Sequence, residues 1–205
     1  MTDELTPDSR DDVLLARIAA GDAAAFTTLF RRRQPDVYRV ALLMTGRAAN
    51  AEDVTQEVFL SVMHDAARYD PARGTAKAWL CGVARNHAKR RLERDGRNLP
   101  LPDETEENAA LRAAPTDPIA ELEQTRRVHA LRQAILALPL RYREVVVLCD
   151  LEEISYSDAA MVLECAIGTV RSRLHRARTL LAAKVRVHLG TSELPAGKRV
   201  PRCLA

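Results

Sequence analysis

The stretch Ser155-Tyr156-Ser157-Asp158-Ala159-Ala160-Met161-Val162-Leu163-Glu164-Cys165-Ala166-Ile167-Gly168-Thr169-Val170-Arg171-Ser172-Arg173-Leu174-His175-Arg176-Ala177-Arg178 decides how the chain is read. Ser155 with Asp158 three residues on has the spacing of a capping box, which satisfies orphan amides at a helix start. A short helix is expected from there to Leu163, then a turn near Glu164-Cys165, then a last helix to about Leu189. In that helix Val170, Leu174, Ala177 and Leu181 recur at i, i+4, i+7 and i+11, a narrow apolar stripe. At about 100° per residue, Ser172, His175, Arg176 and Thr179 point the other way. Arg171, Arg173 and Arg178 flank them, and no Asp or Glu occurs from Thr169 to Val187.

Two short helices joined by a tight turn have the outline of a helix-turn-helix. A helix with one buried stripe and an outer face of Arg, Ser, Thr and His can enter a major groove. There Arg reads guanine edges or grips phosphate, and Ser and Thr bond either. An ordinary solvated face is the bland alternative. The capped helix ahead, the tight turn and the lack of acids favour DNA.

Working outward, Ile119 to Ala137 reads as a helix broken by Leu138-Pro139, and Leu140 to Leu148 as the next. The run Val145-Val146-Val147 suits a short buried helix better than a strand. In the first half, Val13 to Ala20 is a short helix ending at Gly21. Asp22 caps a second one through Ala25, Phe26, Leu29 and Phe30. Pro35 is expected to start another, with Val37, Tyr38, Ala41, Leu42 and Met44 on its apolar side and a stop near Gly46. Asn50 is expected to cap a helix from Ala51 to about Ala67. Asp70-Pro71-Ala72-Arg73-Gly74 is a turn cluster, and Thr75 to about Arg94 is a long helix.

The chain has 205 residues, 47% hydrophobic and only 4% aromatic, so it has apolar material for a core but little of the aromatic content of a sandwich or barrel. No apolar run approaches the ~18 residues of a membrane span. Met1 to Asp12 is acidic and polar, unlike a signal peptide. Cys81, Cys149, Cys165 and Cys203 lack CxxC spacing, which argues against a disulfide framework or a Zn ribbon and fits a reducing cytoplasm. Net charge is +3, but residues 73–98 carry +6, 99–125 carry −6 and 126–189 carry +5. The acidic stretch also holds Pro100, Pro102, Pro115 and Pro118. Prolines and like charges extend a chain. The expected organisation is therefore all-α: two small helical domains, 12–98 and 123–189, joined by an acidic Pro-containing linker, 99–122, with a tail at 190–205.

The quoted stretch, with Leu138-Pro139-Leu140-Arg141-Tyr142-Arg143-Glu144-Val145 ahead of it, resembles the fourth domain of bacterial RNA polymerase sigma factors of the sigma-70 family, extracytoplasmic-function (ECF) subfamily. Asn50-Ala51-Glu52-Asp53-Val54-Thr55-Gln56-Glu57-Val58-Phe59 resembles that family's second domain. Gly74-Thr75-Ala76-Lys77-Ala78-Trp79-Leu80 and Val83-Ala84-Arg85-Asn86-His87-Ala88-Lys89-Arg90-Arg91 resemble its −10 element segment. The family usually has Gly where Glu164 stands and often Pro where Ala166 stands, so a strained turn is expected here.

The resemblance implies a sigma-2 helical bundle and a sigma-4 helix-turn-helix. It implies −35 recognition by Thr169, Arg171, Ser172, Arg173, His175, Arg176 and Thr179. It implies docking of Asp53, Gln56, Glu57 and Leu60 on the polymerase, whose β′ clamp helices and β subunit are the expected partners. Val54, Val58 and Val62 lie roughly opposite and can pack inward. Lys77, Arg85, Asn86, Lys89 and Arg90 are the expected −10 contacts: the cations neutralise phosphates, a salt-dependent term, and Asn86 pairs with a base edge. The turn Tyr69 to Gly74 is the expected pocket for a base that has left the stack. Trp79 is read as core beside Leu80, Val83 and Ala84.

The expected function is transcription initiation: binding core RNA polymerase, directing it to promoter DNA through −10 and −35 elements, and melting the promoter. The rival is a stand-alone helix-turn-helix regulator that binds duplex DNA without polymerase, and the acidic spacer and acidic helix argue against it. A third reading, an enzyme using Cys and His, finds no support: Cys81 and His87 are not at a metal spacing, and no Gly-rich phosphate loop occurs. Cys149 and Cys165 are read as buried thiols. No catalytic activity, cofactor, metal or small-molecule substrate is expected. An anti-sigma factor is a partner implied by the resemblance alone.

Overall fold

The computed structural model describes residues 7–96 and 118–189. Among them all regular structure is helical, in the order α1 (Pro7–Ala19), α2 (Ala23–Thr45), α3 (Ala48–Asp65), α4 (Ala76–Asp95), α5 (Pro118–Leu136), α6 (Leu140–Val146), α7 (Tyr156–Val162) and α8 (Ile167–Leu189). Helix α5 begins inside the stretch read as spacer. Residues 97–117, the tail 190–205 and Cys203 lie outside the described residues.

Helix α2 starts where Asp22 Oδ1 accepts from the amides of Ala24 (2.8 Å) and Ala25 (3.0 Å). Its C-cap, Gly46, has φ 82°, a left-handed conformation that glycine adopts without steric cost. The expected break at Pro35 does not occur, and one helix runs through it from Ala23 to Thr45. A mid-helix proline costs about 3 kcal/mol. Ala25 and Leu29 before it and Val37, Val40, Ala41 and Met44 after it are all buried. Each large aliphatic among them contributes about 1.5–3 kcal/mol, so a continuous apolar face outweighs the local penalty. A second correction concerns Asn50, which is not a cap. It lies within α3 and donates through Nδ2 to Asp95 Oδ2 at 2.9 Å, tying α3 to the end of α4.

The cap at Ser155 is as expected, and Thr75, expected only as the start of a helix, caps α4. Thr75 Oγ1 accepts from Ala78 N at 3.2 Å, and Ser155 Oγ from Asp158 N at 3.0 Å. After α6 the chain widens into a π-helical turn, Val147–Leu151, closed by the Glu152 amide on Val147 O. Glu153 then takes φ 56°, and Glu164 takes φ 51° in the turn between α7 and α8.

Helices α1–α4 pack around Leu15, Leu29, Met44, Val54, Val58 and Leu80. Helices α5–α8 pack around Ile135, Val145, Leu148, Val170 and Leu174. The two sets are not separate: one apolar cluster runs from Leu14 to Ala177. Helix α4 meets α7 so closely that a Cβ at Gly82 would lie 3.3 Å from the Val162 methyls, and one at Gly46 would lie 3.3 Å from the Leu136 side chain. No described helix is long and apolar enough to cross a membrane.

Candidate functional site

Helix α8 presents the sharpest sidedness. Val170, Leu174 and Ala177 are buried at 0%, 2% and 0% exposure, with Leu181 packed partly against the same core. Arg171, Ser172, His175, Arg176 and Thr179 are exposed, and Thr169 and Arg173 are half-buried. Ser172 Oγ donates to Thr169 O and Thr179 Oγ1 to His175 O, which holds both hydroxyl oxygens on the helix surface with their lone pairs outward. Arg176 lies close enough to the Tyr142 hydroxyl to hold the phenol below its ordinary value. Tyr142 comes from α6, and Arg141 lies over its ring at 4.8 Å. Arg178 is committed elsewhere: Nε and Nη2 clasp Asp150 at 3.0 and 2.5 Å, which raises its pKa.

A second surface lies on α3. Val54, Val58 and Val62 are buried, whereas Asp53, Gln56 and Leu60 are exposed and Glu57 half-buried on the opposite side. Asp53 pairs with Arg91 of α4 at 2.9 Å. His87 Nδ1 lies 2.8 Å from Glu57 Oε2 and its Nε2 lies 3.1 Å from Ser61 Oγ. That chain has the order of a hydrolytic triad, but Ser61 sits mid-helix, where the backbone amides are already spent on helix bonds. The arrangement therefore fixes the Glu57 carboxylate on the surface rather than activating a nucleophile. Leu60 is 57% and Met63 54% exposed beside it, an apolar edge to an acidic face.

The five expected −10 residues do not share one fate. Asn86 and Arg90 are exposed and Lys89 is half-buried. Lys77 and Arg85 face the second set of helices and are engaged there. Arg85 Nε donates to Glu144 Oε1 at 2.7 Å. Lys77 Nζ donates to Glu152 O at 2.7 Å and lies 3.3 Å from Glu152 Oε2. Arg39 adds a fork onto the same carboxylate, at 2.5 and 3.0 Å. Trp79 is partly buried against the core and tilted on Tyr69, with centroids 5.7 Å apart. The Tyr69 hydroxyl lies within hydrogen-bond reach of Asp12 and, at 3.2 Å, of Gly74 O, and Asp70 Oδ1 accepts from Ala72 N, so the turn from 69 to 74 is held at both ends.

Sequence reasoning missed the residues that join the two helix sets: Arg39, Arg132, Arg143, Glu144 and Glu152. Arg143 donates to Met44 O at 2.6 Å and also to Leu136 O, and Arg132 donates to Gly46 O at 3.2 Å. Both guanidiniums thereby cover carbonyls at the C-terminal end of α2, the negative end of its dipole. Acids and bases spread over four elements carry no spacing that could have revealed this. The cysteines among the described residues form no disulfide. Cys81 is buried, Cys149 and Cys165 are half-buried rather than fully enclosed, and burial pushes the Cys81 and Cys149 thiols up to about 12. No group of three His, Cys, Asp or Glu side chains is placed to hold a metal ion among the described residues.

The two faces coincide with recognisable sequence families. Residues 29–98 match the family model described as Sigma-70 region 2, and residues 129–181 match Sigma-70, region 4. The chain is 35% identical over 166 residues to the ECF RNA polymerase sigma factor SigE of Mycolicibacterium smegmatis, covering 80% of this chain and 63% of SigE. It is 35% identical over 181 residues to SigM of Mycobacterium tuberculosis, covering 84% and 83% of the two chains. It is 33% identical over 200 residues to the sigma-E factor of Escherichia coli K12, covering 90% and 97%. Among solved structures, CnrH in complex with the cytosolic domain of CnrY aligns with a TM-score of 0.63 at 25% identity, over 87% of this chain and 98% of that one. The sigma factor RpoE of Bartonella quintana aligns with a TM-score of 0.63 at 21% identity, over 82% and 98%, and shares the fold. An acidic helix face in region 2 and a basic helix-turn-helix in region 4, on a chain that aligns along most of its length with these proteins, make it a member of the ECF RNA polymerase sigma factors of the sigma-70 family.

Proposed function

We propose that this sigma factor directs core RNA polymerase to promoters by two grips. Arg171, Ser172, His175 and Arg176 of α8 read the −35 element in the major groove, with Thr169, Arg173 and Thr179 on phosphates. Arg85, Asn86, Lys89, Arg90 and Lys77 of α4 engage the −10 strand, with the turn before Gly74 taking a base out of the stack. Asp53, Gln56, Glu57 and Leu60 dock on the clamp helices of the polymerase. The observation that carries the reading is the sidedness of α8, a cationic and hydroxyl-bearing face with no acid over a buried stripe. Each grip alone is weak, and holding both on one chain raises the effective concentration of the second. The polymerase performs the chemistry. An anti-sigma factor is the proposed inhibitory partner, as in the Bartonella quintana complex of RpoE with NepR.

Run-off transcription with purified core polymerase on a library of genomic fragments tests this. Initiation from a defined subset sharing two elements, only when the chain is added, is expected. Tight duplex binding by the chain alone, with no polymerase-dependent initiation, would overturn it in favour of a stand-alone regulator.

A further inference from the structure

Helix α8 does not stop where the region 4 match does. The match ends at residue 181, and α8 continues to Leu189. At about 100° per residue, Arg176, Thr179, Ala183 and Arg186 all lie within about 40° of Ser172 around the helix. Val170, Leu174, Ala177 and Leu181 lie on the opposite side, against the core. Ala183 and Arg186 are both exposed. The face proposed to read the −35 element therefore runs on past Thr179, first as a small side chain and then as a cation. Arg178 spends its guanidinium on Asp150, whereas no carboxylate pairs with Arg186 among the described residues.

Distance decides what Arg186 can reach. At 1.5 Å per residue it lies about 15 Å beyond Arg176 along the axis. A recognition helix touches base edges with its N-terminal residues, and a major groove is about 12 Å wide. A helix whose 171–176 segment reads bases has therefore left the groove by Arg186 and passes over the phosphate ridge that borders it. Ala183 lets that ridge come close, and the long Arg186 side chain reaches across to it. There a guanidinium meets phosphate oxygens rather than base edges, and it bonds them with charge assistance and in bidentate fashion.

We propose that Arg186 is a further DNA-binding residue, gripping a backbone phosphate just outside the −35 element while Ala183 lets that backbone pass. This rests on the reading of α8 as the −35 helix. The grip carries no sequence information. It adds affinity and fixes the register and orientation of the reading end of the helix on the duplex.

The test uses the full-length chain in holoenzyme with core polymerase. The probe is a fluorescein-labelled duplex of a promoter that the wild-type holoenzyme transcribes, titrated in the cold so that the duplex stays closed. Arg186→Ala is expected to bind several-fold more weakly at about 50 mM KCl, by the same factor for every −35 variant. Its plot of log affinity against log salt is expected to be shallower by about one. Arg186→Lys should keep the wild-type slope, because it keeps the charge. Ala183→Glu, which sets a carboxylate against the same phosphate, should weaken binding at least as much as Arg186→Ala. Ethylation of a phosphate beside the −35 element should interfere with wild-type binding and not with Arg186→Ala. Unchanged slope and affinity for Arg186→Ala overturn the proposal, and so does a changed ranking of −35 variants, which would make Arg186 a base reader. Arg176→Ala in the same series keeps the two readings apart. If it flattens the ranking while Arg186→Ala changes nothing, α8 reads the element and only the outer grip is wrong. If neither variant has an effect, the reading of α8 itself falls.

Discussion

Arg85 of α4 donates to Glu144 of α6 at 2.7 Å, across the seam between region 2 and region 4. Both side chains are largely buried, at 15% and 6% exposure, so neither is cheaply returned to water. A pair held this way is costly to break from one side, because the surviving charge stays desolvated. Glu152→Ala is the harsher case, since it takes the carboxylate from Lys77, leaving only its bond to the backbone O of residue 152, and removes the fork on Arg39. Urea unfolding at neutral pH should show a loss of about 1–3 kcal/mol, below the usual 3–5 for a fully buried pair because Arg39 can rehydrate. Glu152→Gln should cost less, since it keeps the shape and an acceptor. Equal stability of Glu152→Ala and wild type would remove the ion cluster from any structural role.

The helix proposed to read the −35 element offers a contrast between neighbouring arginines. Arg176 is exposed, whereas Arg178 is tied to Asp150. Arg176→Ala should cost about 1–3 kcal/mol of base discrimination and flatten the preference among −35 variants in run-off assays. Arg178→Ala should leave the ranking of variants intact. If Arg176→Ala ranks the promoters as wild type does, another residue reads that position.

How much of this was legible beforehand depends on the range of the interaction. The stripe Val170, Leu174, Ala177 and the caps at Asp22 and Ser155 are local, set by periodicity and by amides a few residues away, and the structure has them as read. The sidedness of α3 was legible for the same reason. Pro35 was misread because a local rule lost to tertiary burial on both sides of it. Asn50 looked like a cap because its partner, Asp95, is 45 residues away. Glu144 and Glu152 have the appearance of ordinary helical and loop acids in sequence. Their meaning depends on Arg85, Lys77 and Arg39, brought to them only by docking of the two regions.

The turn between α7 and α8 carries measurable strain. Glu164 sits at φ 51°, where an L-residue pays about 1–2 kcal/mol and glycine almost nothing. Glycine gives back part of that gain as chain entropy, about 0.5–1 kcal/mol. Glu164→Gly should therefore stabilise the chain by about 0.5–1 kcal/mol, seen as a higher urea midpoint with unchanged slope. Its −35 ranking should match wild type, because the side chain is exposed and lies ahead of α8. A lower midpoint would mean that Glu164 makes a compensating interaction.

On α3, Asp53 and Glu57 supply the charge of the proposed docking face, and Asp53 also holds Arg91. Charge reversal by Asp53→Arg places a like charge beside Arg91 and against a basic partner helix. Holoenzyme assembly measured by fluorescence titration should weaken by about tenfold or more, chiefly at low salt, where such terms are strongest. Duplex −35 binding by the isolated chain should not change. An unaltered titration would move the docking surface elsewhere on region 2.

The cysteines give a pH-dependent test of the core. Burial holds the Cys81 thiol at about 12 against an ordinary 9.0, with Cys149 raised to the same level. A group whose folded pKa is raised keeps its proton in the native state and loses it first when unfolded. The associated stability is full below pH 9, then falls as pH climbs from about 9 toward 12. At pH 8, Ellman's reagent should therefore leave Cys81 unmodified in the native protein, since thiolate is the reactive form, and should modify it on addition of urea. Urea midpoints should decline above pH 9 more steeply for wild type than for Cys81→Ala. Rapid native-state labelling of Cys81 at pH 8 would show that α4 opens on the seconds scale and that the core around Leu80 and Ala84 is not the closed layer described above.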